Sequence, residues 1–468
     1  MHGEDTREEN GFFTLTLLGV AFSVVYSGIT WVSFHFVYGQ DHSQRPILPF
    51  LLLYFIAFCL YCASWRHLTR LTQSRKEVWG ILIFAVIFRA IVLLSNPIQE
   101  DDFYRYLWDG KVVASGLNPY VVSPDEVKNT EDDVPRLQPY RHIPQQDPRF
   151  QQILARVNHP KVSTIYPPLA QGLFALTALV APGSLLTLRI ALFIIDIGLC
   201  GLIILLLGQL GCNRAYVLIY AWSPLVIKET INSAHYDVLP TFWLVATVAL
   251  SLAGRSLLAH ASLALAILGK VYPVLILPLL FWRTGQTVGW NASLSGVLVT
   301  LTCVGIGYAP FWQAGDALWQ GTRTFAEHWQ TNSFLFPFLH QMIGQRWLAN
   351  GIVVCLLGSW MFRVLYRCSL REGGEFLWAV LLMLFALFLL SPVGNPWYFL
   401  WLMPFLCVFP LRAGLLLSGL LGLYYLYFYF LYQRAVETFQ WVLWLEYLLF
   451  YGVLLWGWGK GKWIRDNG

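Results

Sequence analysis

The sequence predicts an all-α polytopic membrane protein, and three observations carry that prediction. Only 12% of the 468 residues are charged and 57% are hydrophobic, against about 25% charged in soluble domains. Apolar runs of about 20 residues, the length that crosses a bilayer as a helix, recur along the chain. One long polar interval, residues 96–165, interrupts them. Residues 1–468 therefore read as a single integral membrane domain of roughly 12–13 transmembrane helices, with 96–165 as an extracytoplasmic loop within it.

Taken in order, the N-terminal MHGEDTREEN is acidic and lacks the basic region of a signal peptide, so the first apolar run is expected to stay as a helix over about 12–37. A second helix follows at about 47–65. Arg66, Arg70, Arg75 and Lys76 then form a short basic loop, which belongs in the cytoplasm. The third helix (about 78–95) leads outward to the long loop, whose length exempts it from the charge rule. The loop begins helically, with Asp101, Arg105 and Asp109 on one face at i, i+4, i+8, and Gly116 and Asn118-Pro119 end that helix. Residues 121–160 are rich in Pro, Asp, Glu and Gln and read as irregular structure. Tyr166-Pro167-Pro168 suits the first turn of the next helix.

Further on, 185–208 crosses again. The polar run 228–237 follows a short apolar stretch and fits a broken or re-entrant element lining a cavity. Its side of the membrane is not given by helix parity. Helices at about 238–253 and 257–282 follow, the second interrupted at Gly269-Lys270-Val271-Tyr272-Pro273, then one at 288–308. The stretch 309–333, with Glu327 and His328, and Ser391–Tyr398 read as outside connections. Arg255, Arg283, Arg363, Arg367, Arg371, Lys460, Lys462 and Arg465 mark the inside.

Composition excludes several function classes. Net charge is +5 without a basic tract, which argues against a nucleic-acid partner. The eight cysteines lie in or beside apolar segments, so neither a disulfide framework nor a redox CxxC at Cys59–Cys62 is implied.

Chemistry concentrates at the loop junction. Glu100, Asp101 and Asp102 stand directly after an apolar helix, where membrane proteins keep carboxylates chiefly for function. A carboxylate there can act as general base on a sugar hydroxyl. Lys270, at a proline break between apolar segments, is a candidate partner for a phosphate, and His235 a candidate donor to the same anion. Each has a plainer rival: a helical ion-pair ladder for Asp101–Arg105–Asp109, a core histidine, a snorkelling lysine, an aromatic-belt residue at Trp397. A divalent cation (Mg2+ or Mn2+) at Asp101, Asp102 and Asp237 is compatible with the residue types, but no ligand spacing compels one.

The runs Asp101-Asp102-Phe103-Tyr104-Arg105-Tyr106-Leu107-Trp108-Asp109-Gly110, Gly116-Leu117-Asn118-Pro119-Tyr120 and Thr164-Ile165-Tyr166-Pro167-Pro168-Leu169-Ala170-Gln171 resemble the GT-C membrane glycosyltransferases. The likeness is narrower to the bacterial polyprenyl-phosphate-mannose mannosyltransferases, and looser to the catalytic subunit of the first GPI mannosyltransferase. His235-Tyr236-Asp237, Lys270-Val271-Tyr272-Pro273 and Asn395-Pro396-Trp397-Tyr398 resemble later landmarks of that family, and the likeness spans about residues 80–400.

This resemblance implies an inverting transfer of a sugar, expected to be mannose, from a polyprenyl-phosphate donor to a glycan or lipid acceptor. The site would face the periplasm or exterior of a bacterial inner membrane. An acidic residue of the loop would be the base. Alignment on Asp109 favours Asp101 against the GPI enzyme and Asp102 against the bacterial enzymes. Glu100, Arg105, Asp109, Tyr166, His235, Asp237, Lys270, Trp397 and Tyr398 would line the substrates, and Asp237 near the site would put 228–237 on the outer side. Two helices precede the loop's own helix where the family commonly has one. The competing class is a transporter or flippase, which would place its ionisable groups mid-helix in paired repeats. A non-catalytic subunit would tolerate replacement of both aspartates.

Overall fold

A computed structural model describes residues 2–39, 42–69, 75–130 and 134–459. Arg70 of the basic loop and Lys460, Lys462 and Arg465 lie outside the described residues. The described chain is helical, and its one β pairing is an isolated parallel bridge between Thr331 and Val393.

Eight helices among the described residues are long and apolar enough to cross a membrane, and three shorter apolar helices accompany them (Pro168–Val180, Val238–Leu252, Ser256–Gly269). The expected 12–13 spans thus resolve differently. Short helical pieces make up much of the rest, because proline and glycine interrupt the helical ladders. The interruption expected within 257–282 falls at Lys270, and Pro396–Trp401 is a 3₁₀ turn followed by a four-residue helix (Met403–Leu406).

The first helices are α1 (His2–Ser33), α2 (Ile47–Leu68) and α3 (Arg75–Leu93), with α1 packed on both others. The loop adds α4 (Phe103–Ala114), α5 (Pro124–Asn129), α6 (Gln138–Gln146) and α7 (Pro148–Arg156). Then come α8 (Pro168–Val180) and α9 (Leu185–Gln209).

The expectation of irregular structure over 121–160 is overturned. Pro124, Pro139 and Pro148 stand in first turns of helices, and Pro144 is accommodated within one. Ser123 closes a capping box with Glu126 ahead of Pro124, and the Asp147 side chain accepts from Arg149 N ahead of Pro148. The apolar residues that looked scattered (Val127, Tyr140, Ile143, Phe150, Ile153 and Leu154) are the buried face of these three helices.

Helix α4 ends as its sequence predicts. Gly116 adopts φ +76°, and Leu117 N donates to Val112 O at 3.0 Å, closing a C-terminal turn that only a residue without Cβ enters freely. Gly110 allows α4 to lie on α8, since a Cβ there would sit 2.4 Å from Phe174 O.

Below the loop, α3 and α9 are joined by a buried ion pair. Arg89 donates to Asp196 and, at 2.7 Å, to Ala221 O, while Tyr220 donates to the second Asp196 oxygen. Every element of this group is fully buried.

Candidate active site

The polar segment 228–237 is broken, as expected, and it lies against the start of the 96–165 loop. Short helical turns at Leu218–Ala221 and Pro224–Ile227 lead into a π-helical turn at Lys228–Asn232, where Ser233 N donates to Lys228 O. Asn232 then clasps the start of the loop. Its Oδ1 accepts from Ile98 N at 3.0 Å, and its Nδ2 donates to Ser95 Oγ and Asn96 O, both at 2.7 Å. Arg189 ties the same two segments, donating to Ser95 O at 2.6 Å and to Asn232 O. His235 and Asp237 therefore stand at the loop end of the bundle.

Two left-handed residues set the directions of the side chains here. Gln99 (φ +68°) directly precedes Glu100, and Ala234 (φ +61°) directly precedes His235. An L-residue pays roughly 1–2 kcal/mol for this conformation, and such residues gather where function holds the backbone. His159 (φ +45°) is a third, next to Asn158.

Asp102 heads α4, where a negative charge complements the exposed amides of the first turn. Asn158 Nδ2 donates to Asp102 Oδ1 at 2.5 Å and to Asp101 Oδ1 at 3.0 Å, so one amide binds both aspartates. They then part. Asp102 Oδ2 lies 3.8 Å from His235 Nε2, inside the bundle, while Asp101 is exposed on the outer side. Crowding by the loop and the charge of Asp102 push the Asp101 carboxyl up to about 6. Glu100 is buried, with Oε2 3.9 Å from His235 Nε2 and Oε1 without a partner. Its burial, with Glu229 nearby, raises it well above the usual carboxylate range.

The helical ion-pair ladder that was the plainer reading of Asp101, Arg105 and Asp109 does not form, since Asp101 lies before the helix begins and Arg105 and Asp109 turn to other partners. Arg105 donates to the carbonyls of Asn158 (3.2 Å) and His159 (3.0 Å), closing the far end of the loop onto its start. Asp109 is buried and accepts from Gln171 Nε2 at 3.3 Å, which joins α4 to α8. Tyr166 forms edge contacts with Tyr106 and Tyr236, and its carbonyl accepts from Tyr120 at 2.6 Å.

A second polar cluster lies two residues beyond His235. Asp237 Oδ1 accepts from Lys270 Nζ at 2.6 Å and from the Trp401 indole at 2.7 Å. Lys270 also lies 4.2 Å from the Tyr398 ring centroid, and Trp401 is stacked between Tyr398 and Tyr272. The anion that an intramembrane lysine requires is thus Asp237. Lys270 is close enough to feel the Asp102 charge. Trp397 stacks on His235 at 3.8 Å. Glu327 and His328, by contrast, are exposed, and His328 bonds only to its own helix, at Thr324 O.

Sequence reasoning missed Glu229, Lys228, Asn158, Trp401 and Tyr425. Glu229 Oε2 lies 3.0 Å from His235 Nδ1, and Tyr425 donates to Glu229 Oε1 at 2.7 Å. The adjacent Lys228-Glu229 in an apolar setting was the available signal. Among the described residues no group of three or more His, Cys, Asp or Glu is arranged to hold a metal ion. Asp237, engaged by Lys270 and Trp401, does not join Asp101 and Asp102 in such a group.

The family model for the alpha-(1->6)-mannopyranosyltransferase N-terminal domain (the MptA_B family) matches residues 11–286, more than half of the chain. That range takes in the acidic junction, the loop, His235, Asp237 and Lys270, and leaves Trp397 and Tyr398 outside. No curated protein and no solved structure matches. The chain belongs to this mannosyltransferase family.

Proposed function

We propose, from the premise that the chain is a glycosyltransferase of that family, that it moves mannose from a polyprenyl-phosphate donor to a hydroxyl of a glycan or lipid acceptor. The reaction inverts the anomeric centre, forms an α-(1→6) bond, and takes place on the face of a bacterial inner membrane that carries the 96–165 loop, the extracytoplasmic one. Asp102 is the general base. The observation that carries this reading is the divergence of the two aspartates from Asn158: Asp102 turns into the bundle toward His235, and Asp101 turns out. Lys270, with donor hydrogens beyond the one given to Asp237, meets the leaving phosphate, and the Tyr398–Trp401 rings flank the sugar.

The test is sugar transfer by purified protein in detergent, with radiolabelled polyprenyl-phosphate mannose and a panel of mannoside and lipid acceptors. Transfer lost in Asp102→Asn with donor binding retained supports the reading. Full activity in both Asp101→Asn and Asp102→Asn removes it.

A further inference from the structure

Resting on that reading, we propose that His235 is the second proton station of the transfer. It receives from Asp102 the proton that Asp102 takes from the attacking hydroxyl, and Glu229 is the positioning residue that keeps the imidazole ready to do so.

The direction of each hydrogen bond behind His235 is fixed. Lys228 Nζ can only donate, and it lies 2.8 Å from the Tyr425 hydroxyl. Tyr425 therefore turns its own proton onto Glu229 Oε1. Glu229 is wholly buried beside this cationic chain and serves as an acceptor, with Oε2 3.0 Å from His235 Nδ1. An acceptor there requires the proton on Nδ1, so the neutral ring presents the lone pair of Nε2. The stacked Trp397 fixes the ring plane.

Nε2 is buried and has no partner. It faces a gap bounded by Asp102 Oδ2 at 3.8 Å and Glu100 Oε2 at 3.9 Å. Buried acceptors are almost always satisfied in folded proteins, and leaving one open is costly. This one is open where a proton is to be released.

The acceptor O–H breaks as the C1–O bond forms, and C1–O(phosphate) breaks with its electron pair leaving on the phosphate. The proton goes to Asp102. An oxygen about 2.8 Å from each of two atoms can sit between Asp102 Oδ2 and Nε2, so a water or a substrate hydroxyl bridges them and passes the proton to Nε2. Asp102 returns to carboxylate, and the imidazolium rests against Glu229. The other charged or titratable groups facing it are Glu100, Asp102, Lys228 behind Tyr425, and the Lys270–Asp237 pair alongside.

The experiment measures steady-state kinetics and donor affinity for H235Q, E229Q and the double variant, in the mannose-transfer assay above. In E229Q the amide can offer Nδ1 a donor, which moves the ring proton to Nε2 and closes the route without removing the ring. Each single variant is expected to lower kcat about 100-fold, with KM and donor Kd within threefold of wild type, and the double variant to be no slower than H235Q. The proposal is overturned by a kcat within threefold of wild type in either single variant. It is also overturned by donor Kd rising in step with the loss of rate, by losses that multiply in the double variant, or by a stoichiometric divalent cation that wild type carries and H235Q lacks. Failure of the parent reading looks different: wild type then transfers nothing from polyprenyl-phosphate mannose, or Asp102→Asn keeps full activity.

Discussion

Two of the clusters of buried charge among the described residues, one between α3 and α9 and one at the loop junction, are built on different plans. In the Arg89–Asp196–Tyr220 group between α3 and α9, both carboxylate oxygens of Asp196 accept a hydrogen bond, one from the guanidinium and one from a phenol. At the loop junction, Glu100, Asp102 and His235 face one another across gaps of 3.8–3.9 Å, and Glu100 Oε1 and His235 Nε2 have no partner at all. The first plan neutralises charge and holds helices together. The second leaves acceptors open at the price of stability. The contrast lies in which groups stay open: a guanidinium nitrogen (Arg89 Nη2) in the first, a carboxylate oxygen and an imidazole nitrogen that faces two carboxylates in the second.

The comparison can be broken or sharpened by substitution. The largest expected effect is on transfer by Asp102→Asn, a fall of about 10³-fold in kcat with little change in thermal stability, checked by the radiolabel assay beside a melting curve. The converse holds for Arg89→Met. Removing one partner of a buried pair costs about 3–5 kcal/mol, so unfolding in detergent should shift sharply, while the double variant Arg89→Met/Asp196→Leu recovers most of that loss. Donor affinity, measured by competition, should fall about tenfold or more in Lys270→Met, since a charge-assisted contact to phosphate is worth roughly 1.5–3 kcal/mol. Asp101→Asn should lower transfer by less than about tenfold, as befits a group aimed outward and sharing one amide with the proposed base.

The smallest effect is on the pH dependence of stability. The folded Asp101 carboxyl is raised to about 6, above its value of about 3.9 in an unfolded chain. Its contribution is therefore fully present below about pH 4 and is lost as pH rises through 6. Acidification from pH 7 to pH 4 should stabilise wild type slightly more than Asp101→Asn, as read from paired melting curves. The exposure of the side chain keeps the difference small.

Much of this was legible in the sequence, and the misses have physical causes. The junction, the turn at Gly116, the helix start at Pro168 and the break at Lys270 all depend on neighbours in sequence, and all are where the pattern puts them. The helices of the loop were hidden because proline at a first turn has the same letter as proline that breaks a helix. Asp101 and Asp102 could not be separated, because the residues that distinguish their surroundings, Asn158 and His235, lie more than 50 positions away. Glu229 and Tyr425, nearly 200 residues apart, meet only through the fold. Lys270 was given an anion to find, and no spacing said that Asp237 would be it.

The closure of the loop by Arg105 and Asn158 has an evolutionary consequence. The strands of chain that enter and leave are pinned to each other at the acidic motif, so α5–α7 form an excursion whose two ends are already joined. Lengthening such an excursion costs little, only about 0.6 kcal/mol for each doubling. The excursion can therefore gain, lose or exchange residues while the two aspartates keep their places.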